Sequence, residues 1–343
     1  MVIELKIFTA CFIYLYLINF FQKKYNFCLD TPSSKERHKI LLKLDNKVPL
    51  SGSFYFFPIL FLTSFELNLT FAIICSLFFF IGFLSDSKIT VSPKLRLILQ
   101  FSLLFAFLIL NSDITIDTRI SFLNKLIEYE LFRILIISFF FLVLINGYNF
   151  IDGVNNLSSL NFLMILIFLK LLSYDIDNFS YNHLVNILIV STLIFVVFNF
   201  FGQNFLGDGG IYGLSFFIGF ILIECAILSE KISPYFIANL LWYPAFENLF
   251  CIIRRSFLKT KNYLPDNKHM HHLIFKYFKK KKIFKKKYLL SSFVGIIINL
   301  YMLSFYIIGF FDYSDTKLQI ILIFSNTVIY LLVYYQLKKI SDD

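Results

Sequence analysis

Charge is scarce in this chain. Asp, Glu, Lys and Arg make up 16% of its 343 residues, where soluble domains carry about a quarter. With a mean hydropathy of +0.74, that scarcity excludes an ordinary soluble globule and points to a polytopic membrane protein. Paired cysteine is missing too. Cys11, Cys28, Cys75, Cys225 and Cys251 show no CxxC spacing, and four lie in or beside apolar runs. They read as small buried hydrophobes, neither a disulfide frame nor a metal cage. No A-x-A-like cleavage site follows the opening MVIELKIFTACFIYLYLINFF, which reads as an uncleaved first membrane helix. No internal repeat is visible, which weighs against a repeat-built transporter.

What is present is a series of apolar runs. A hydrocarbon core of roughly 30 Å takes about 20 residues of helix. Runs of that kind fall near 3–21, 50–65, 67–84, 95–110, 131–146, 157–173, 184–201, 211–229, 233–253, 288–310 and 316–336. The expected architecture is all-α: one multi-span membrane domain over 1–343 with about eleven transmembrane helices. Ten is the alternative, because only Glu66 separates the second run from the third. Eleven spans put 22–49, 85–94, 147–156, 202–210, 254–287 and the tail on one side, and those segments with Arg96 hold 25 of the 32 lysines and arginines. By the positive-inside rule that side is cytoplasmic and the N-terminus lies outside. The formal charge of +10 is thus read as topology, with no nucleic-acid partner. The run KKKKIFKKK at 279–287 suits anionic lipid headgroups.

The unusual polar stretches all fall on that cytoplasmic side. NGYNFIDGVNNLSS follows nearly pure hydrocarbon and sets Asn146, Asn149, Asp152 and Asn155 three residues apart. Polar groups beside a bilayer core are costly and mark sites. Asp86, Asp152 and Asp208 come from three different helix ends, each beside Ser or Gly. Carboxylates so placed can hold Mg²⁺ while substrate phosphates complete its shell, and adjacent Gly lets backbone N–H groups approach a phosphate. KHMHH places His269, His271 and His272 near Arg254, Arg255 and Lys268, a set suited to a diphosphate. Its spacing is unconvincing for zinc. Arg37 and His38 could hold an anionic headgroup or simply anchor the topology.

Four stretches, GFLSDSKITVSPKLRLILQ, NGYNFIDGVNNLS, NFLGDGG and PDNKHMHH, occur in an order and spacing that resembles the polyprenyl-phosphate N-acetylhexosamine-1-phosphate transferases. These are the MraY/WecA-like glycosyltransferase 4 family. The likeness covers about 28–275, and an early DxPxxRKxH…P…G pattern is similar to Asp30-Thr31-Pro32, Arg37-His38, Pro49 and Gly52. The resemblance implies a multi-pass protein of the bacterial inner membrane with its active site facing the cytoplasm. It implies transfer of a sugar 1-phosphate from a UDP-sugar to polyprenyl (undecaprenyl) phosphate, release of UMP, and a need for Mg²⁺, with Mn²⁺ as an alternative ion. Partners so implied are the UDP-sugar, the polyprenyl lipid, the bilayer and, as an allowed assembly, a second copy of the chain.

Carried over by residue, Asp208 would be the principal metal ligand and Asn149 a second one. Asp152 would lie by the nucleotide and metal, with Asn146 and Asn155 on the same substrate-binding rim. Asp86 would serve the lipid phosphate as a base, and Lys94 or Arg96 would sit by phosphates. His269, His271 and His272 would contact the diphosphate or sugar, with Glu247 in the place of a family acidic residue. Three motifs depart from the pattern. The family's Asp pair is Ser85-Asp86 here, DGxDGL is Asp152-Gly153-Val154-Asn155-Asn156-Leu157, and GDTGS is Gly207-Asp208-Gly209-Gly210-Ile211. The 254–275 loop is closer to the WecA branch, so the expected donor is a UDP-N-acetylhexosamine such as UDP-GlcNAc, feeding O-antigen or another envelope polysaccharide. An MraY-type transferase acting on UDP-MurNAc-pentapeptide is the alternative within the family. A catalytically inactive paralogue or a lipid transporter is the alternative outside it, although Glu224 is the clearest charge well inside a span and stands alone there.

Overall fold

The computed structural model describes residues 2–31, 47–65, 69–87, 89, 92–177, 179–257 and 268–342. The described chain is almost wholly helical. In order the helices are α1 (Val2–Tyr25), α2 (Gly52–Phe65), α3 (Leu69–Asp86), α4 (Pro93–Leu110), α5 (Ser121–Ile127), α6 (Glu130–Ile151) and α7 (Leu157–Leu172). Then follow α8 (Asn182–Phe200), α9 (Gly207–Leu228), α10 (Pro234–Leu240), α11 (Trp242–Phe257), α12 (Met270–Lys280), α13 (Lys287–Phe311) and α14 (Thr316–Asp342). Two short strands, β1 (Leu29–Asp30) and β2 (Val48–Pro49), pair antiparallel.

Among the described residues, nine helices are long and apolar enough to cross a membrane: α1, α3, α4, α6, α7, α8, α9, α13 and α14. The run at 233–253 is not one straight rod. It forms α10 and α11, bent by 73°, and counts as a tenth span if the pair is taken together. The bend frees the Leu240 carbonyl, which accepts a hydrogen bond from Tyr306 Oη at 2.7 Å. A neighbouring helix thus satisfies the broken backbone, as membrane interiors demand. The run at 50–65 becomes α2, whose 14 residues reach roughly 21 Å at 1.5 Å each, short of a full crossing.

Helix starts are written locally. Ser92 caps α4, its Oγ accepting from Leu95 N at 3.2 Å with Pro93 next in line; Ser233 and Pro234 repeat the device on α10. Proline suits the first helical position because its missing N–H would be unpaired there anyway.

Interior polar groups tie the helices laterally. Tyr148 Oη donates to Asn161 Oδ1 at 2.7 Å, and Asn161 Nδ2 donates to Tyr306 Oη at 3.1 Å, so α6, α7 and α13 share one buried chain. Asn299 Nδ2 on α13 reaches the carbonyls of Asn156 and Leu157 at 3.1 and 3.0 Å, fixing the α6–α7 loop.

The ribbon and the α8–α9 loop close one end of the bundle. Leu50 bridges Phe205 in parallel, and Phe205 O accepts from Ser51 N at 3.0 Å. That link seats the start of α2 against the start of α9. α3 runs antiparallel to α9 and packs on it so closely that a Cβ on Gly82 would overlap the backbone of Asp208 and Gly209. Small residues at such crossings are the usual basis of tight helix packing in membranes. The ends of α3 and α6 and the starts of α4, α7 and α9 therefore meet at a single end of the fold.

Candidate functional site

Asp208, in the first turn of α9, is the hub at that end. It is 5% exposed. Its Oδ2 accepts from Ser85 Oγ at 2.6 Å and from Arg96 Nη1 at 2.7 Å, while Oδ1 accepts from Asn149 Nδ2 at 2.7 Å. Arg96 Nη1 also reaches Ser85 Oγ at 2.9 Å and Tyr212 Oη at 3.3 Å. Three helices besides α9, namely α3, α4 and α6, thus each send one polar side chain to a single carboxylate. Its position at a helix N-terminus also favours negative charge there.

Asp86 is placed differently from the expectation of a base. Its Oδ1 accepts from Asp208 N at 2.8 Å and its Oδ2 from Gly209 N at 3.1 Å, with Ser53 Oγ at 3.4 Å. It is a cap supplied by α3 to α9, satisfying N–H groups that no helix can pair internally. Taking a proton would cost it those bonds. Gly207 permits the arrangement: its φ is +71°, and a Cβ there would come within 2.6 Å of Asp86 Oδ2, so the position needs glycine on both counts.

The three-residue ladder on α6 fans out to different neighbours. Asn146 Nδ2 donates to Gln100 Oε1 on α4 at 3.0 Å, and Asn149 meets Asp208. Asp152 accepts from Ser158 Oγ at 2.5 Å. Gly153 lies against the histidines, since a Cβ there would come within 2.9 Å of His272 Nε2. The Phe150 ring lies 5.5 Å from that of His269 and 5.7 Å from the guanidinium of Arg255. Asn155 is fully buried, and neither polar atom of its side chain has a partner among the described residues.

His269, His271 and His272 cluster with ring centroids 4.2–5.5 Å apart. Among the described residues no group of three or more His, Cys, Asp or Glu side chains could hold a metal ion. His269 Nδ1 lies 3.0 Å from Glu247 Oε1, which also accepts from Met270 N at 3.3 Å. The carboxylate as acceptor assigns the proton to Nδ1 and leaves Nε2 as the other face of the ring. Tyr330 Oη on α14 donates to Glu247 Oε2 at 2.6 Å. Tyr330 escapes sequence reading because it sits in an apolar run without local signal; Ser53, Gln100 and Tyr212 escape it likewise.

Tyr330→Phe keeps the ring among Trp242, Phe246 and Phe250 and deletes only the donor. The expected cost is about 2 kcal/mol, because a buried carboxylate oxygen loses its partner. Thermal melting of the two proteins in the same detergent reads it, and equal melting temperatures would contradict a stabilising Tyr330–Glu247 bond.

Of the remaining expected residues, Lys94 stands exposed on the first turn of α4. Arg37 and His38 lie outside the described residues.

The departures from the family pattern acquire a physical reading. Asn156 has φ +61°, the left-handed region where Gly is commonest and Asn among the best substitutes. Asn in place of Gly there preserves the loop. Ser85 in place of Asp puts a hydroxyl donor against Asp208 rather than a second negative charge.

The described helices of this polytopic membrane protein thus gather a buried Asp, an Arg, amides and a histidine cluster at one end of the bundle. A profile of glycosyl transferase family 4 matches residues 68–226, a little under half of the chain. It is also similar to a probable undecaprenyl-phosphate N-acetylglucosaminyl 1-phosphate transferase of Bacillus subtilis (strain 168), at 25% identity over 193 residues. That likeness covers 54% of this chain and 52% of the relative, so it spans about half of each.

Proposed function

We propose that the protein transfers an N-acetylhexosamine 1-phosphate from a UDP-sugar to a polyprenyl phosphate, releasing UMP. The observation that carries this reading is the Asp208 hub, where Ser85, Arg96 and Asn149 converge on one carboxylate at a membrane-protein helix end. The family match over residues 68–226 supports the reaction class, and the name of the Bacillus relative supports the acceptor and the sugar.

In this reading an oxygen of the lipid phosphate attacks the β-phosphorus of the UDP-sugar. The bond from that phosphorus to the bridging oxygen breaks, and UMP departs with the electron pair. Charge grows on phosphoryl oxygens throughout, so preorganised cations and donors lower the barrier. Arg96 stands where it can neutralise that charge, and His269, in its imidazolium form, would donate Nε2–H to a diphosphate oxygen while Glu247 fixes its ring. Asn155, with a free amide donor and acceptor, suits the uracil edge.

Asp208 and Asn149 would hold Mg²⁺ once the Asn149 amide turns its oxygen, in place of the Nδ2 that now donates to Asp208, toward the ion. So small a donor set, with no group of three or more His, Cys, Asp or Glu side chains able to hold a metal among the described residues, suits an ion that keeps water and takes substrate phosphates as ligands. When bound, the ion would supply charge neutralisation at the phosphoryl oxygens. The excess of lysine and arginine in the loops on one side supports reading the site as cytoplasmic.

The test is transfer from radiolabelled UDP-GlcNAc to undecaprenyl phosphate by the purified full chain, with Mg²⁺ or with EDTA. Magnesium-dependent lipid product with equimolar UMP is expected. No lipid product from UDP-GlcNAc or from a panel of other UDP-N-acetylhexosamines would overturn the reading.

A further inference from the structure

Two contacts fix Arg96 over the hub. Ser92 and Pro93 start α4, and Arg96 N closes its first turn by donating to Ser92 O at 3.0 Å. One turn further, Gln100 Oε1 accepts from Asn146 Nδ2 at 3.0 Å, which pins α4 to α6 beside Asn149. This helix pairing carries Arg96 Nη1 to Asp208 Oδ2 at 2.7 Å, with Ser85 Oγ at 2.9 Å and Tyr212 Oη at 3.3 Å around it. The start of α4 thus delivers a guanidinium to the same point to which the start of α9 delivers a carboxylate.

The balance of charge at this point bears on what can bind first. The charge of Asp208 is met by that of Arg96 at 2.7 Å. Ser85 and Tyr212 add only hydroxyls and Asn149 only an amide. Asp86 faces the Asp208 and Gly209 amides, where the partial positive charge of the α9 N-terminus offsets part of its own. Asp152, past the end of α6, turns to Ser158 Oγ at 2.5 Å, and Lys94, exposed on the first turn of α4, adds a positive charge. The described side chains at the hub therefore leave little net negative charge for a dication. A divalent ion arriving alone would share Asp208 with a guanidinium, and like charges that close repel strongly in a partly buried site.

We propose that Arg96 and Ser85 together keep the Asp208 hub close to neutral, so that a divalent ion alone binds weakly and the ion and a diphosphate are taken up as one unit. The inference rests on the proposed transferase reading for the identity of the diphosphate. A diphosphate reverses the balance in two ways. It brings negative charge for the ion, and its oxygens pair with a planar guanidinium as readily as a carboxylate does. The Arg96 side chain is 23% exposed, so phosphate oxygens can reach it from the solvent side. Ser85 gains a role in this account: its hydroxyl bonds Asp208 at 2.6 Å without adding the negative charge that would hold an ion before the nucleotide arrives.

The experiment measures Mn²⁺ bound by the purified full chain in a neutral detergent, by equilibrium dialysis without substrate. Arg96→Gln removes a positive charge and Ser85→Asp adds a negative one, so each should tighten Mn²⁺ binding by about tenfold. Arg96→Lys keeps the charge and should stay within about twofold of wild type. Adding Asp208→Asn to either tightened variant should abolish its gain, which ties the ion to the hub. In the wild type, UDP should raise the Mn²⁺ held by the protein. Damage to the fold can only weaken the hold on the ion, and melting temperatures are read on every variant. Should Arg96→Gln melt below the assay temperature, Ser85→Asp poses the same question with the guanidinium intact. Affinities unchanged or weaker in both variants, or Mn²⁺ uptake by the wild type indifferent to UDP, would overturn the proposal. A wild type that transfers no sugar phosphate while both variants gain Mn²⁺ affinity would sink the transferase reading alone. Transfer by the wild type without those gains would sink the charge balance alone.

Discussion

Asp208→Asn is expected to lower transfer by about a thousandfold while the protein stays folded. The substitution keeps the size of the side chain and its place in the first turn of α9, but removes the charge on which Ser85, Arg96 and Asn149 converge. In the proposed reaction that charge would hold the divalent ion and set the position of Arg96. The Arg96 side chain is 23% exposed against 7% for Asp208, so its guanidinium retains access to water when its partner is neutralised. The stability loss should therefore stay near about 1 kcal/mol, well below that of a sealed pair. Transfer rate and melting temperature, measured on the same preparation, separate the two effects. Retention of more than about a tenth of wild-type transfer would remove Asp208 from the centre of the mechanism.

Gly82→Ala should be the most damaging single change to the fold of the site. The added Cβ would collide with the Asp208 carbonyl carbon and with Gly209, and backbone cannot rotate aside as a side chain can. Separating α3 from α9 would also pull Asp86 away from the Asp208 and Gly209 amides it caps. We expect a loss of about 3 kcal/mol and no measurable transfer. Gly219→Ala on the same α9 is the matched control. There the nearest atoms are the side-chain ends of Leu144 and Phe141, at 2.8 and 2.9 Å, which can rearrange. A melting temperature for Gly82→Ala no lower than that of Gly219→Ala would refute the close-approach argument.

Much of the architecture was readable before any coordinates. The apolar runs predicted helices at the observed places, because length and hydropathy are properties of contiguous residues. Two runs behaved differently for local reasons: α2 has only 14 residues, although it leads away from the site end to which α3 returns, and the 233–253 run breaks where Tyr306 can take up the freed carbonyl of Leu240. Convergence of the polar stretches at one end was also legible, since an alternating chain returns every second connection to the same side. The likeness to the family rested on motif order, and residues 68–226 carry the match.

The roles within the site were less legible. Sequence order placed Ser85 as a missing carboxylate and Asp86 as a candidate base. The structure makes Ser85 a donor to Asp208 and Asp86 the cap of α9, through contacts spanning 123 and 122 residues of sequence. Tyr330 reaches Glu247 across 83 residues.

The sequence by itself determined that this chain is a bundle of membrane-length helices with its chemistry at one end, because hydropathy and polar helix ends are local. Only the tertiary structure decided which carboxylate is the hub and which is the cap. Those outcomes depend on how closely α3 can approach α9, and such distances are set by packing between segments far apart in the chain.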